Sequence, residues 1–180
     1  YRLSPDRWIA VTGTNGKTTT TSLVDHILNA SGMPSHAVGN IGSVPTAAVD
    51  AREPGSWFSA ELSSYQLACS SLLHPRVSVL LNITPDHLAW HRSLEAYAAA
   101  KRRIFARQEP GDLVIVCVED AGSAAALDEA RATGAAVCEL SHEDTFADCA
   151  AFVADGVLTC RLRGAEMELV RTDELCIAGA

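Results

Sequence analysis

The residues of this chain that invite a chemical reading begin at Val11. Val11-Thr12-Gly13-Thr14-Asn15-Gly16-Lys17-Thr18-Thr19 joins a short apolar run to a segment with helical spacing, the setting in which a phosphate loop is physically sensible. Gly13 and Gly16 permit backbone conformations that turn successive N–H groups inward, and the following helix adds the positive end of its dipole. Gly13, Thr14, Asn15, Gly16, Lys17, Thr18 and Thr19 are therefore the candidate nucleotide-binding residues. Lys17 would neutralise β and γ phosphates, and the Thr18 hydroxyl would ligate the Mg²⁺ that bridges them. In the generic pattern the first glycine stands six residues before the lysine, and here Val11 holds that position. The competing reading is a glycine-rich turn with a solvated lysine.

Further residues carry chemistry only if the fold brings them to this loop. Glu61 closes an apolar run and is either a metal-holding carboxylate or a solvated strand end. Asp86 and His87 follow a second apolar run, where they would either cap a helix or present an imidazole. His91 lies four residues after His87, the spacing of a zinc pair, but no third ligand stands nearby. Lys101-Arg102-Arg103 reads on composition as an exposed basic face.

The elements that must position these residues alternate. Strands are predicted at residues 8–11, 35–38, 57–61, 77–83, 113–118 and 136–140, and helices at 18–30, 44–51, 94–106 and 122–133, with Ser93 as a cap. Residues 77–83 are apolar at nearly every position, as strands covered on both faces are. This alternation predicts an α/β fold, a mostly parallel sheet flanked by helices, with ligands at the carboxyl ends of its strands. After about residue 145 the texture changes to short runs at 151–154, 157–163 and 166–170. They are separated by Asp155-Gly156 and Gly164-Ala165, which read as hairpin turns. A small antiparallel β appendage is expected there, within one domain spanning residues 1–180.

Composition narrows the partners. At 180 residues and 48% hydrophobic content the chain can bury one substantial core. A net charge of −8 opposes nucleic acid and anionic membrane as partners. No run approaches the roughly 20 apolar residues a bilayer requires, and no signal peptide is visible, so a cytoplasmic monomer is expected. The cysteines at 69, 117, 138, 149, 160 and 176 form no Cys-x-x-Cys pair and are expected to be reduced and structural, with Cys117 a small buried hydrophobe.

The phosphate loop, together with Gly39-Asn40-Ile41-Gly42, Glu61-Leu62-Ser63-Ser64-Tyr65-Gln66-Leu67, Asn82-Ile83-Thr84-Pro85-Asp86-His87 and Tyr97-Ala98-Ala99-Ala100-Lys101, resembles the Mur ligase family. The first of these make the ATP-binding central domain of that family the likeness, and the second and third are most similar to its D-glutamate-adding branch. The resemblance implies transfer of the ATP γ-phosphate to the carboxylate of UDP-N-acetylmuramoyl-L-alanine and attack on that acyl phosphate by the amine of D-glutamate. ATP, a UDP-sugar peptide precursor and an amino acid are the implied small-molecule partners. The resemblance implies two Mg²⁺ ions, one held by Thr18 and Glu61 and the second by His87 with Lys101 carbamylated by CO₂. It gives Lys17, Glu61, His87 and Lys101 catalytic roles, with Asp86 behind the imidazole and Asn40, Ser63 and Tyr97 toward the substrate. Their plainer roles are a turn for Asn40 and a packed ring for Tyr97.

Members of the family carry a nucleotide-sugar domain before this one and an amino-acid-binding domain after it, so the 180 residues alone are not expected to complete ligation. Rival readings are another amino-acid-adding Mur enzyme, a folylpolyglutamate synthetase, a P-loop nucleotide-binding module without ligase chemistry, or an interaction domain that binds no ATP.

Overall fold

The computed structural model describes residues 6–175. Nine strands form one sheet: β1 (Trp8–Thr12), β2 (Ser35–Gly39), β3 (Trp57–Glu61), β4 (Val77–Leu80), β5 (Leu113–Cys117), β6 (Ala136–Leu140), β7 (Cys149–Ala154), β8 (Val157–Leu162) and β9 (Ala165–Arg171). Their spatial order is β2-β3-β1-β4-β5-β6-β7-β8-β9. Pairing is parallel from β2 through β7 and antiparallel from β7 to β9. The appendage read from the sequence therefore extends the main sheet, although β7 meets β6 over only Glu139↔Ala150 and Leu140↔Ala151.

The helices are α1 (Lys17–Ala30), α2 (Pro45–Ala51), α3 (Ser64–Ala68), α4 (Leu88–His91), α5 (Leu94–Arg102), α6 (Ala121–Ala124) and α7 (Leu127–Ala132), followed by a 3-10 turn at Thr172–Glu174. Helix α1 packs on one face of β1, β2 and β3, where the Ser59 hydroxyl donates to Thr21 O at 2.9 Å. On the opposite face Leu67, Tyr97, Ala98, Ala126 and Ala130 pack with Ala10, Leu80, Val114 and Val116, all nine buried. Beside them Trp8, Val38, Val49, Phe58 and Ala60 form a second cluster under α2. The strands between these layers are buried on both sides, mostly through apolar residues, with Ser59 and Ser78 among the hydrogen-bonded exceptions.

Several predicted bounds shift for identifiable reasons. Strand β4 ends at Leu80 rather than residue 83, because the chain leaves the ladder to wrap the β1–α1 loop: Thr14 N–H donates to Asn82 O at 2.9 Å. The helix expected over 94–106 stops at Arg102, and residues 104–106 continue in tighter turns donating three residues back. The helix expected over 122–133 divides into α6 and α7. Its start is fixed by Asp120, whose carboxylate accepts from Ser123 N at 2.9 Å and Ile83 N at 2.8 Å. Asp155 and Gly156 turn the first hairpin with φ of 50° and 75°, as the sequence indicates. The second turn is Arg163-Gly164, at φ of 53° and 77°, not Gly164-Ala165, since Ala165 already pairs with Leu162 in the ladder. Two positive φ angles in succession match the twist of a two-residue hairpin.

Cys117 is half-buried rather than core, because β5 turns Val114 and Val116 inward and leaves Ile115 and Cys117 on the other face. Cys138 is the buried cysteine. All five described cysteines are unpaired thiols, and Cys176 lies outside the described residues. Among the described residues no helix is long and apolar enough to cross a membrane.

Candidate active site

The loop between β1 and α1 emerges at the carboxyl end of the sheet with Gly16 left-handed at φ 82° as the cap of α1. No side chain caps the helix and no acidic residue sits in its first turn, so its leading N–H groups and the dipole face the loop unopposed. Gly13 has no room for a side chain: a Cβ there would stand 2.9 Å from Leu81 Cβ and 3.2 Å from Asn15 O. The loop is fastened to the β4 exit. Asn82 accepts from Asn15 N–H at 2.8 Å through Oδ1 and donates to Asn15 O at 3.2 Å through Nδ2. Thr14 is held as tightly, its Oγ accepting from Thr84 N–H at 3.0 Å and donating to Thr84 O at 3.1 Å. The hydroxyl of Tyr97 lies 3.1 Å from the same Thr14 oxygen. Lys17 Nζ donates to Thr14 O at 2.8 Å, across the mouth of the loop, and Thr19 lies exposed on the first turn of α1.

Glu61, the last residue of β3, is 2% exposed. Its Oε2 accepts from Thr18 Oγ at 2.7 Å and its Oε1 from Asn40 Nδ2 at 2.9 Å. Asn40 thus orients the carboxylate, its own backbone N–H donating to Glu61 O at 3.0 Å. Neither partner is charged, and among the described residues no lysine, arginine or histidine forms an ion pair with Glu61. A buried carboxylate without a protein cation favours one from outside, and a hydroxyl beside a carboxylate is the hard oxygen donor set that Mg²⁺ takes. Those residues fit the first ion.

Across the cleft stand the second group of residues. A cavity of about 240 Å³ is lined by Thr14, Lys17, Asn40, Ser63, Tyr65, Asp86, His87, Tyr97 and Lys101 among others. His87 caps α4 in the left-handed region at φ 53°, a costly conformation for a residue with a Cβ, and Asp86 Oδ2 lies 3.4 Å from its Nε2. Its ring packs on Tyr65 at 5.1 Å between centroids. Ser63 accepts from Gln66 N–H at 3.3 Å and caps α3, with Gln66 Oε1 answering Ser63 N–H at 2.9 Å. Helix α3 was not foreseen, although Ser63 followed by Gln66 is a capping box.

Lys101 is buried, only 2% exposed, so the exposed basic face suggested by composition does not exist at this position. Its Nζ donates to Gly13 O at 2.6 Å and lies over the Tyr97 ring, 4.7 Å from the centroid. Burial, with Lys17 nearby, lowers its amine from 10.5 to about 8 against the opposing pull of Asp86. An amine at about 8 is roughly a quarter neutral at pH 7.5, against about a thousandth for an ordinary lysine. Neutral amine is what CO₂ reacts with, the product being a carbamate and a proton, so this lysine suits carbamylation. His87 and Lys101 line one cavity, and an imidazole with a carbamate on that amine would fit a second ion.

His91, by contrast, turns inward. It is 6% exposed, its Nε2 is 2.9 Å from Ser64 Oγ, and its ring packs 5.2 Å from Tyr97. Burial, then His87 and Lys101, lower its pKa from the usual 6.5, and the ring ties α3 to α4 through Ser64 rather than standing beside His87 as a metal pair. Tyr97, only 1% exposed, is a wall and a loop anchor. Asn82 is the positioning residue that motif reading leaves unassigned, and the bonds of Asn40 to Glu61 and of His91 to Ser64 add positioning contacts that the motifs do not show.

A glycine-bracketed loop ahead of an uncapped helix, a buried carboxylate without a cation among the described residues and a buried amine meet at one sheet end of an α/β domain, a setting that suits anions and a hard cation. The chain belongs to the Mur ligase family, residues 11–176 matching its middle domain, so the resemblance drawn from the motifs is borne out. It is 40% identical over 172 residues to UDP-N-acetylmuramoylalanine--D-glutamate ligase of Pelotomaculum thermopropionicum, covering 96% of this chain and 37% of that protein. It is 44% identical over 144 residues to the protein of that name in Paramagnetospirillum magneticum, covering 79% and 31%. The fold recurs in a UDP-N-acetylmuramoyl-L-alanyl-D-glutamate--2,6-diaminopimelate ligase, with a TM-score of 0.70 at 24% identity over 93% of this chain and 39% of that one. It recurs also in E. coli FolC in complex with DHPP and ADP, with a TM-score of 0.61 at 17% identity over 94% and 50%. The chain thus spans about a third of the length of these curated relatives.

Proposed function

We propose that this chain is the ATP-binding part of an ATP-dependent ligase that joins D-glutamate to UDP-N-acetylmuramoyl-L-alanine in peptidoglycan synthesis. The observation that carries the reading is the meeting, at one end of the sheet, of the Thr18–Glu61 pair, 2.7 Å apart, with the buried amine of Lys101 on the same loop. A nucleotide switch has use for the loop and Lys17, but none for a buried lysine whose amine is lowered to about 8. The names of the relatives support the choice of amino acid and sugar peptide.

The reaction moves the γ-phosphate of ATP to the substrate carboxylate, and the amine of D-glutamate displaces phosphate from that acyl phosphate. Here the N–H groups from Gly13 to Thr18 and the Lys17 ammonium hold the phosphates, Lys17 leaving Thr14 O to do so. Thr18 and Glu61 would hold one Mg²⁺, with Asn40 keeping the carboxylate aimed. His87, beside Asp86, and a carbamate on Lys101 would hold the second, while Ser63 and Tyr65 line the approach. Bound Mg²⁺ supplies charge neutralisation between phosphate and carboxylate, whose repulsion would otherwise keep them apart. Small substrates are bound in the cytoplasm on this reading, with the chain a monomer within one domain.

The test grafts this chain in place of the matching 172 residues of the Pelotomaculum ligase and supplies substrate labelled with ¹⁸O in its carboxylate. The proposal expects ¹⁸O in the released phosphate only when ATP and D-glutamate are both present. It also expects the graft carrying Lys101→Ala to be inactive and to recover in short carboxylic acids, which stand in for the carbamate. Unlabelled phosphate from a folded, ATP-hydrolysing graft would refute it.

A further inference from the structure

Far from the nucleotide loop, three cysteines gather on one face of three neighbouring strands. Cys138 and Cys149 stand side by side one residue before the β6–β7 ladder of Glu139↔Ala150 and Leu140↔Ala151. Cys160 pairs with Ala151 across β7 and β8, and residues 149 and 151 point to the same face of β7, so its sulfur lies on that face too. The setting is asymmetric: Cys138 is 5% exposed, while Cys149 and Cys160 are half-buried. Burial and the Cys149 side chain push the Cys138 thiol well above its ordinary range, so it stays protonated at neutral pH. Among the described residues no group of three or more His, Cys, Asp or Glu is arranged to hold a metal ion, these three cysteines included.

We propose that Cys138 and Cys149 form an oxidisable dithiol site whose substrate is a hydroperoxide and whose product is a disulfide joining β6 to β7. Residues facing each other on adjacent strands have Cα atoms about 4.8 Å apart, inside the roughly 4.4–6.8 Å that a disulfide spans. Cys149, the more accessible sulfur, attacks a peroxide oxygen: the S–O bond forms, the O–O bond breaks, and the departing hydroxide takes the thiol proton as water. Cys138 then attacks the Cys149 sulfenic sulfur: the S–S bond forms, the S–O bond breaks, and the leaving hydroxide departs as water with the Cys138 proton. Two thiols and one hydrogen peroxide give one disulfide and two waters. The neighbouring thiol is already in place, which compensates for its weak acidity. The bond closes the 139–148 connection at the one junction where the antiparallel strands hang on a two-pair ladder. Oxidation therefore fastens the β7–β9 hairpin to the parallel sheet.

The experiment treats the folded chain with hydrogen peroxide, blocks remaining thiols with N-ethylmaleimide under denaturing conditions, and maps the peptides by mass. The expected result is loss of two alkylation sites per chain and a crosslinked peptide pair containing Cys138 and Cys149, with the exposed Cys69 still alkylated or singly oxidised. Cys138→Ala, which keeps the buried position apolar, should abolish the crosslink and leave Cys149 as a sulfenic acid that dimedone traps, while Cys160→Ala should leave the crosslink intact. Unfolding in urea before oxidation should scramble the pairing. Higher oxides of Cys149 with no crosslink, a crosslink through Cys160 instead, or the same crosslink in urea-unfolded chain would each overturn the proposal.

Discussion

Replacing Lys101 by methionine isolates the cost of burying its amine. The side chain is 2% exposed, so solvent screening takes little from its electrostatics. Its amine is held at about 8 against an ordinary 10.5, and at about 1.4 kcal/mol per pH unit of separation, charging it in the folded chain at pH 7 costs ~3 kcal/mol. Between these values the unfolded chain binds the proton and the folded chain does not, so stability rises with pH across that window and is lowest below pH 8. From about pH 7 to about pH 9.5 the wild type should gain ~2 kcal/mol that Lys101→Met does not. The upward-shifted Cys138 thiol acts in the opposite direction, but equally in both proteins. Urea unfolding at each pH in CO₂-depleted buffer measures the difference. Adding bicarbonate near pH 8.5 should then stabilise the wild type alone, because only a folded, neutral amine captures CO₂ in a site that holds it. Parallel pH profiles for the two proteins would refute the reasoning, since they would mean that Lys101 stays charged.

Other consequences are more local. Tyr97→Phe removes the hydroxyl 3.1 Å from Thr14 Oγ and keeps the ring over Lys101, so Mg²⁺-ATP should bind about 3- to 10-fold more weakly by calorimetry, the worth of one hydrogen bond, with little change in the unfolding midpoint. Gly39→Ala forces a Cβ to within 2.2 Å of Glu61 O at a φ of 100°, and should cost about 3 kcal/mol or more in urea unfolding. Asp112→Ala strips a buried carboxylate that accepts from Arg76 at 2.8 Å and Glu109 N–H at 3.0 Å. With Arg76 half-exposed the loss should be about 2 kcal/mol in the same assay.

The legible part of the sequence was periodic or punctuated. The strand–helix alternation gave a parallel sheet, Ser93 marked the start of α5, and Asp155-Gly156 marked its hairpin. What escaped depended on tertiary contacts. Nothing in Val77 to Ile83 says that the last residues leave the ladder, because their reason is the loop they clasp, through Asn82 to Asn15. The Lys101-Arg102-Arg103 run looks solvated until α5 is docked, when Lys101 faces Gly13 O and Arg102 reaches Glu129 at 3.1 Å. Asn40 lines the cavity as a residue on the substrate side would, but its bond to Glu61 shows only when β2 and β3 are paired. Cys117 was assigned to the core from its apolar neighbours, but burial on β5 alternates and the neighbours share only half of it.

The account rests on Thr18 and Glu61 holding a metal beside nucleotide phosphates. The most direct test is calorimetric titration of ATP into this chain with and without Mg²⁺, repeated with Glu61→Gln, which keeps the shape and removes the charge. The account predicts ATP binding that Mg²⁺ strengthens at least about tenfold in the wild type, ~1.4 kcal/mol, and much less in Glu61→Gln. Equal Mg²⁺ dependence in the two proteins, or no ATP binding by the folded chain, would contradict it.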